Sequence, residues 1–272
     1  MEEQTVGNRK ETTLGPFRSI AFTLLVLALP VALIATNVRF AASEPRVYDY
    51  SVREYDAAAA SHIPESELIR ANRELVDYFA AEDPGPLHVS VTNTNGQEES
   101  LFNARETAHL ADVHDLFQAV FTIHVVAIAL ALGAAMVLLA TAPVRALAQG
   151  LLYGSLYAAA LVAGTGALAA VGFDDAWRQL HFFAFTNDLW ELDPATDHLI
   201  QMFPRDFWFD VTMLLGAFTL LQALLVGALS GAYLYFTRHQ VEEARLPRRP
   251  PVQRPLEPRP RIPPPRPRHI TH

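Results

Sequence analysis

The 272-residue sequence contains no cysteine. This absence excludes disulfide bonds, zinc sites built on thiolates and any cysteine nucleophile. Charge is also scarce, because only 18% of the residues are charged, whereas ordinary globular proteins have roughly 25%. Hydrophobic residues make up 51% of the chain. These proportions argue against a soluble globular protein.

Three motifs of common enzyme classes are also missing from the sequence. It has no G-x-S-x-G nucleophile elbow, no H-E-x-x-H zinc motif and no Walker-type glycine loop. If the protein is an enzyme, this pattern favours a reaction whose nucleophile belongs to the substrate.

Four apolar segments are each long enough to cross a bilayer, which requires about 20 helical residues. These predicted spans are 19–38, 116–142, 147–172 and 207–236. The first also resembles a cleaved signal peptide, with Ala41-Ala42-Ser43 as a small-residue cleavage site. Its apolar run of about 18 residues exceeds the usual signal core. We therefore expect a retained membrane anchor.

The distribution of charge predicts the orientation of these spans. Segments 1–18, 143–146 and 237–272 together hold 13 basic and 6 acidic residues, whereas 39–115 and 173–210 hold 8 basic and 23 acidic residues. Because basic residues are retained on the cytoplasmic side, we expect both termini in the cytoplasm of a cell-membrane protein. The two acidic segments are then extracytoplasmic.

The C-terminal segment 237–272 is rich in proline and arginine. Such a composition cannot bury apolar surface, so the segment is predicted to be extended and disordered. We expect a solvated cytoplasmic tail, and the alternative is attraction to anionic lipid.

The first outer segment, 39–115, is predicted to form a small cap. Apolar residues at helical spacing indicate a helix over 68–79, and alternating residues around Asn95-Gly96 indicate a β-hairpin of 87–92 with 97–102. A further helix begins near Ala104 and continues into the second span. The predicted fold is an all-α membrane protein with four transmembrane helices and an extracytoplasmic α/β cap.

The second outer segment, 173–206, is predicted to be an interfacial loop because it carries aromatic residues at high density. Tryptophan and phenylalanine are favoured at the membrane–water boundary. Within it, Asp193 and Pro194 are predicted to open a short helix that ends at Pro204. His198 is expected to be solvated, as is His114 of the first outer segment.

Polar residues suited to acid–base chemistry occur in both outer segments. On a helix, Glu106 and Asp112 flank His109 on one face, and a carboxylate beside an imidazole suits a general base. The second segment carries His181 among aromatic residues, and its other candidates are Asn187, Asp188, Trp190 and Asp193. The predicted topology places both clusters at the outer membrane boundary. A metal site of His109, Asp112, His181 and Asp193 is an alternative without a diagnostic spacing.

These motifs resemble the bacterial lipoprotein intramolecular transacylase family of integral membrane proteins. The resemblance rests on Phe102-x-x-Arg105-Glu106-x-x-His109-Leu110-x-Asp112-Val113 and on the run from His181 to Phe207. It covers about residues 15–236. The sequence departs from the family at His114, where a lysine is usual, and in its proline-arginine tail.

The resemblance implies transfer of the sn-2 acyl chain of a lipoprotein's S-diacylglyceryl cysteine to the α-amino group of the same cysteine. It implies that His109 and His181 are an acid–base pair, with either order of roles open. Supporting or substrate-binding residues are then Arg105, Glu106, Asp112, Asn187, Asp188, Trp190 and Asp193. The expected partners are diacylated lipoproteins and membrane lipid but no nucleic acid, and no cofactor is expected.

Two other classes of function remain open at this point. One is a metal-dependent membrane hydrolase. The other is a non-enzymatic envelope protein that binds partners through its cap and its basic tail.

Overall fold

The computed structural model describes the backbone of residues 2–238 and the side chains from Gly15 onward. The predicted proline-arginine tail lies almost entirely outside the described residues. The chain divides into one compact unit, residues 1–235, which holds the features below, and a second unit, residues 236–272, of which three residues are described. The helices and strands are α1 (Glu2–Ser43), α2 (Pro45–Glu54), α3 (Ala57–Ser61), α4 (Glu65–Ala80), β1 (Ser90–Thr92), β2 (Glu98–Ser100), α5 (Ala104–Thr141), α6 (Val144–Val171), α7 (Phe173–Ala184), α8 (His198–Met202) and α9 (Arg205–Phe236).

Helices α1, α5, α6 and α9 are long and apolar enough to cross a membrane. Besides helices, the described residues contain one two-stranded sheet. The predicted fold class, an all-α membrane protein with a small α/β cap, is therefore confirmed. The spans pack through small residues where α6 meets α1. A Cβ atom on Gly150 would lie 2.9 Å from Leu25 Cδ2, and one on Gly154 would lie 3.0 Å from Leu29 Cδ2. Glycine at these positions therefore allows the two helices to approach closely.

The cap contains more helix than the sequence predicts. Helices α2 and α3 precede α4, and the residues of α2 that face inward are Tyr48, Ser51 and Val52. The hairpin forms as expected in antiparallel register, with Val91 opposite Glu99. Its strands are shorter than predicted, and one further backbone hydrogen bond joins the two segments on each side of them: Leu101 N–H donates to Val89 at 2.8 Å and Asn93 N–H to Gln97 at 2.9 Å. Gly96 adopts a φ of 77° in the turn, a conformation that glycine reaches without strain.

One apolar core joins the cap to the outer ends of the spans. Its completely buried members include Leu68 and Leu75 of α4, Leu101 before α5, and Met202 of α8. Phe207, in the first turn of α9, belongs to the same core at 2% exposure. The cap is therefore continuous with the spans, which fixes the outer ends of α5 and α9 against each other.

The second outer segment differs from the predicted loop. It begins with helix α7, whose first turn carries Asp174 and Asp175, where negative charge is favourable next to the helix N-terminus. The short helix that was predicted to start at Pro194 begins four residues later, at His198. Asp193 instead opens a turn, in which its carboxylate accepts the Ala195 N–H at 2.9 Å.

Candidate active site

The N-terminal end of α5, next to the cap, begins with a capping box. Asn103 Oδ1 accepts the backbone N–H of Glu106 at 3.0 Å, and Glu106 Oε2 accepts the backbone N–H of Asn103 at 2.7 Å. This reciprocal pair satisfies donors that a helix start leaves free. The first turns of α5, residues 104–115, are polar, and the predicted apolar membrane span begins at Leu116.

Glu106 also holds α8 against α5. Its second oxygen accepts the backbone N–H of Leu199 at 2.6 Å, and the side chain is only 1% exposed. Burial raises the pKa of this carboxyl, and the two backbone hydrogen bonds oppose that rise. Both carboxyl oxygens are thus engaged in bracing the fold rather than in contacting His109.

His181 lies on α7 with its ring set among aromatic side chains. The ring centroids of Trp177, Trp190 and Phe185 are 4.8, 5.0 and 5.6 Å from that of the imidazole. His181 Nδ1 is 2.8 Å from the Trp177 carbonyl oxygen, and because a carbonyl only accepts, Nδ1 carries the proton. The neutral ring therefore presents a bare Nε2. Burial lowers its pKa, which the Trp177 hydrogen bond opposes.

His109 faces His181 across a short gap. The two ring centroids are 6.2 Å apart with the planes inclined by 33°, and the Phe185 ring lies 5.2 Å from His109. His109 is only 7% exposed. Its Nδ1 is buried and has no hydrogen-bond partner among the described residues. Burial, and next the neighbouring His181, lower the pKa of His109 to about 4.

The loop after α7 is tied to the same face of α5 by two polar contacts. Arg105 donates to the backbone carbonyl of Asp188 and lies 3.8 Å from its carboxylate. Asn187 Nδ2 donates to Asp112 Oδ2 at 2.8 Å, and Trp190 Nε1 donates to the Asn187 carbonyl at 3.0 Å. The structure thus brings five predicted residues close to the two histidines: Arg105, Asp112, Asn187, Asp188 and Trp190. Glu106 instead stabilises the start of α5 and its contact with α8.

Asp193 is not part of this group. Its carboxylate closes its own turn, while its backbone N–H donates to Asp197 at 2.7 Å. Within residues 15–238, no three histidine, aspartate or glutamate side chains gather into a group that could hold a metal ion. The alternative metal site of His109, Asp112, His181 and Asp193 therefore does not form among the described residues, although the two histidines face each other.

Several participants were not predicted from the sequence. Trp177 and Phe185 border His181 at its two sides, and their spacing of four residues from it is the signal that helical periodicity offers. The expectation that His114 is solvated is wrong, because it is 6% exposed and its Nε2 lies 2.8 Å from the Ala81 carbonyl oxygen. His198 is half-buried and contacts Gln201.

Comparison with known proteins gives matches at the family and fold levels. The model of the family "Lipoprotein intramolecular transacylase Lit" matches residues 23–208. A solved structure of the membrane integral lipoprotein intramolecular transacylase Lit from Bacillus cereus is similar with a TM-score of 0.70 at 18% identity, covering 84% of this chain and 99% of that one.

A variant of the same Bacillus cereus protein, with one histidine replaced by alanine, has a TM-score of 0.66 at 17% identity, covering 88% of this chain and 100% of that one. At this identity the two structures establish similarity of fold. No curated protein gives a significant match.

Proposed function

Since this chain belongs to the lipoprotein intramolecular transacylase family Lit, we propose that it transfers the sn-2 acyl chain of a lipoprotein's S-diacylglyceryl cysteine to that cysteine's own α-amino group. Family membership makes the chain an acyltransferase and distinguishes it from a non-enzymatic envelope protein. The proposed product is a lyso-form lipoprotein, which is N-acylated and keeps one glyceryl acyl chain.

The observation that carries the proposal is the pairing of buried His109 with half-buried His181, 6.2 Å apart between ring centroids. Both rings have pKa values lowered by burial, so both are neutral at pH 7. A substrate amine and an ester carbonyl require one group that accepts a proton and one that stabilises negative charge. Two neutral imidazoles across one gap meet both needs without a protein nucleophile.

His181 is the proposed general base. Its Nδ1–H is committed to the Trp177 carbonyl, which leaves Nε2 as the atom that can accept a proton from the substrate amine. The Trp177, Trp190 and Phe185 rings surround the imidazole, and Nε2 has no protein partner among the described residues, so it is free to meet the substrate amine. A base in this tautomer is ready before the substrate arrives.

His109 is the proposed electrophilic partner, together with Arg105. A pKa of about 4 makes His109 a weak base at pH 7, so donation from its neutral ring suits it better than proton abstraction. Arg105 lies one helical turn away on the same face of α5, and its Nε, like His109 Nδ1, is buried without a hydrogen-bond partner in the described chain. An oxyanion between the two nitrogens would satisfy both groups.

The proposed reaction balances without a cofactor. The α-amine nitrogen attacks the sn-2 ester carbonyl carbon, and His181 Nε2 takes the proton that the nitrogen loses. The tetrahedral oxyanion collapses as the carbon–oxygen bond to the glyceryl group breaks. His181 then returns its proton to the leaving glyceryl oxygen. The products are one amide and one free hydroxyl group.

The other predicted residues are proposed to support this arrangement. Two contacts hold the loop against α5: Asn187 donates to Asp112, and Arg105 donates to the Asp188 carbonyl. Trp190 links that loop to the His181 ring. Outside these contacts, Glu106 and Asp193 are proposed to stabilise local structure and not to contact the substrate.

The topology of the site follows from the same proposal. The acidic balance of the cap and of segment 173–210 supports an extracytoplasmic position, with both termini in the cytoplasm. Diacylglyceryl chains can then remain in the outer leaflet while the cysteine reaches the histidines.

The direct test expresses the protein in cells whose lipoproteins are diacylated, and reads the lipoprotein N-terminus by mass spectrometry. We expect N-acylated lyso-form lipoprotein from the wild type and none from His109→Ala or His181→Ala. His88→Ala is a matched control, because His88 is exposed on the cap outside the site. Unchanged diacylglyceryl lipoprotein in the presence of well-expressed wild type contradicts the reaction.

A retained activity in the double histidine variant contradicts the site while leaving the family assignment intact. Chelation separates the transacylase from a metal-dependent hydrolase. The transacylase converts its substrate equally well after treatment with a chelator, whereas a metal-dependent hydrolase would lose its activity. Before chelation, the hydrolase would also differ in its product, which is free fatty acid.

A further inference from the structure

Helices α1 and α5 share a polar seam near the outer ends of both spans. Thr36 Oγ1 lies 2.9 Å from His124 Nε2, and the Arg39 guanidinium lies 4.8 Å from the centroid of the Phe121 ring. The two pairs are three residues apart on each helix, so they form consecutive levels about one turn apart on antiparallel helices. We call Thr36, Arg39, Phe121 and His124 the outer seam.

The outer seam opens toward lipid. Thr36 and Arg39 are exposed and His124 is half-buried, while the adjacent Phe40 and Ile123 are 63% and 51% exposed. Exposed apolar side chains on membrane-spanning helices contact acyl chains. The seam therefore has no protein cover on this side in the described chain.

Arg39 differs from most arginines of the acidic outer surface. Five of them have a carboxylate within 4 Å: Arg46, Arg53, Arg70, Arg105 and Arg205. Arg39 has no such carboxylate among the described residues, and its recorded contact is with the face of the Phe121 ring. An arginine near a helix end reaches the headgroup layer, where an anionic headgroup would pair with its charge.

The deeper level of the seam also has an open hydrogen-bonding position. Thr36 Oγ1 lies 2.6 Å from the Ala32 carbonyl oxygen, so its only hydrogen is donated there and its oxygen accepts from His124 Nε2. This arrangement leaves His124 Nδ1 as a buried acceptor without a partner. The His124 level lies about one turn further into the apolar spans than Arg39.

We propose that the outer seam binds one anionic phospholipid of the outer leaflet. The lipid phosphate pairs with Arg39, whose planar guanidinium forms two parallel hydrogen bonds with phosphate oxygens. The glycerol region then lies over the Thr36–His124 level. This site is separate from His109 and His181, and it does not depend on the acyl transfer.

The test places the full-length protein in nanodiscs of phosphatidylcholine with or without phosphatidylglycerol and measures thermal unfolding. Phosphatidylglycerol is expected to raise the Tm of the wild type by about 2–4 °C. Arg39→Gln should lose this increment. Arg73→Gln should keep it, because Arg73 on α4 is also exposed without a carboxylate partner in the described chain but lies in the cap.

An equal Tm for the wild type in both lipids overturns the proposal, as does an undiminished increment in Arg39→Gln. Inorganic phosphate added to the phosphatidylcholine sample should leave Tm unchanged, and a rise there would assign the site to a free anion instead. If Arg39→Gln does not fold, native mass spectrometry of the wild type decides. It should retain one phosphatidylglycerol in preference to phosphatidylcholine, and no preference contradicts the site.

Discussion

The two halves of the candidate site are held by different forces. On the α5 side, Glu106 and Asp112 fix the surroundings of His109 through hydrogen bonds to backbone and amide groups. On the α7 side, His181 is surrounded by rings, and Trp177 stacks on Trp208 with centroids 4.9 Å apart. Hydrogen bonds therefore stabilise the α5 side, and aromatic packing stabilises the α7 side.

This difference follows from where each half lies. The N-terminal turns of α5 pack against the cap through Leu110 and His114. The carboxylates of Glu106 and Asp112 are hydrogen-bonded there, while His109 Nδ1 and Arg105 Nε remain without partners in the described chain. Helix α7 faces outward, with Phe182 58% and Phe183 91% exposed. Aromatic packing tolerates small displacements better than directed hydrogen bonds do. We infer that His109 is the fixed member of the pair and that α7 carries the member that adjusts to substrate.

Glutamine substitution of each histidine separates the proposed roles. Glutamine keeps an N–H donor but is not a base, so His181→Gln should lower kcat by about 10³-fold, within the range of general-base catalysis. His109→Gln keeps a donor near the oxyanion and should lower kcat by only about 10–10²-fold. The measurement is conversion rate of a diacylated lipopeptide by the purified variants.

Equal losses in the two glutamine variants would contradict the assignment of a base and a donor. A larger loss in His109→Gln would reverse it. Circular dichroism and Tm of both variants provide the folding control.

The fold was largely predictable because its signals are local. Apolar length predicts the four crossing helices, and Asn95-Gly96 predicts the hairpin turn. Helix α7 was missed because its aromatic residues were interpreted as an interfacial loop, although Phe173, Trp177 and His181 recur every four residues. The two helices before α4 were also missed, since they are short and are held by tertiary contacts, of α2 with α4 and of α3 with α8, which is distant in sequence.

The sequence predicted the residue types of the candidate site, but it did not predict which residue contacts which. Helical spacing placed Glu106 beside His109, yet the structure uses its carboxylate for Leu199, 93 residues away. The tautomer of His181 depends on a carbonyl of its own helix, and the lowered pKa of His109 depends on burial and on His181, which is 72 residues away in sequence. Burial and long-range hydrogen bonds are the information that one sequence lacks.

Acid should destabilise the polar half through His109. Its folded pKa of about 4 lies below the ordinary value of 6.5, so the unfolded chain binds the extra proton between these values. The free energy of unfolding is therefore complete above pH 6.5 and falls by about 3 kcal/mol as the pH drops to 4. Thermal unfolding of the wild type minus that of His109→Gln isolates this contribution, and parallel pH profiles would contradict it.

Trp177→Leu should weaken the aromatic half with the smallest effect on the fold. The substitution removes the stacking on Trp208 and the edge contact with His181, while the cap core retains its buried members. Aromatic pairs contribute about 0.5–1.5 kcal/mol each, so kcat should fall by about 10-fold with a Tm change of about 2–4 °C. Because the Trp177 carbonyl still accepts from His181 Nδ1, the acid limb of the kcat profile should keep its position. A shifted acid limb would show that the ring, and not the backbone hydrogen bond, sets the basicity of His181.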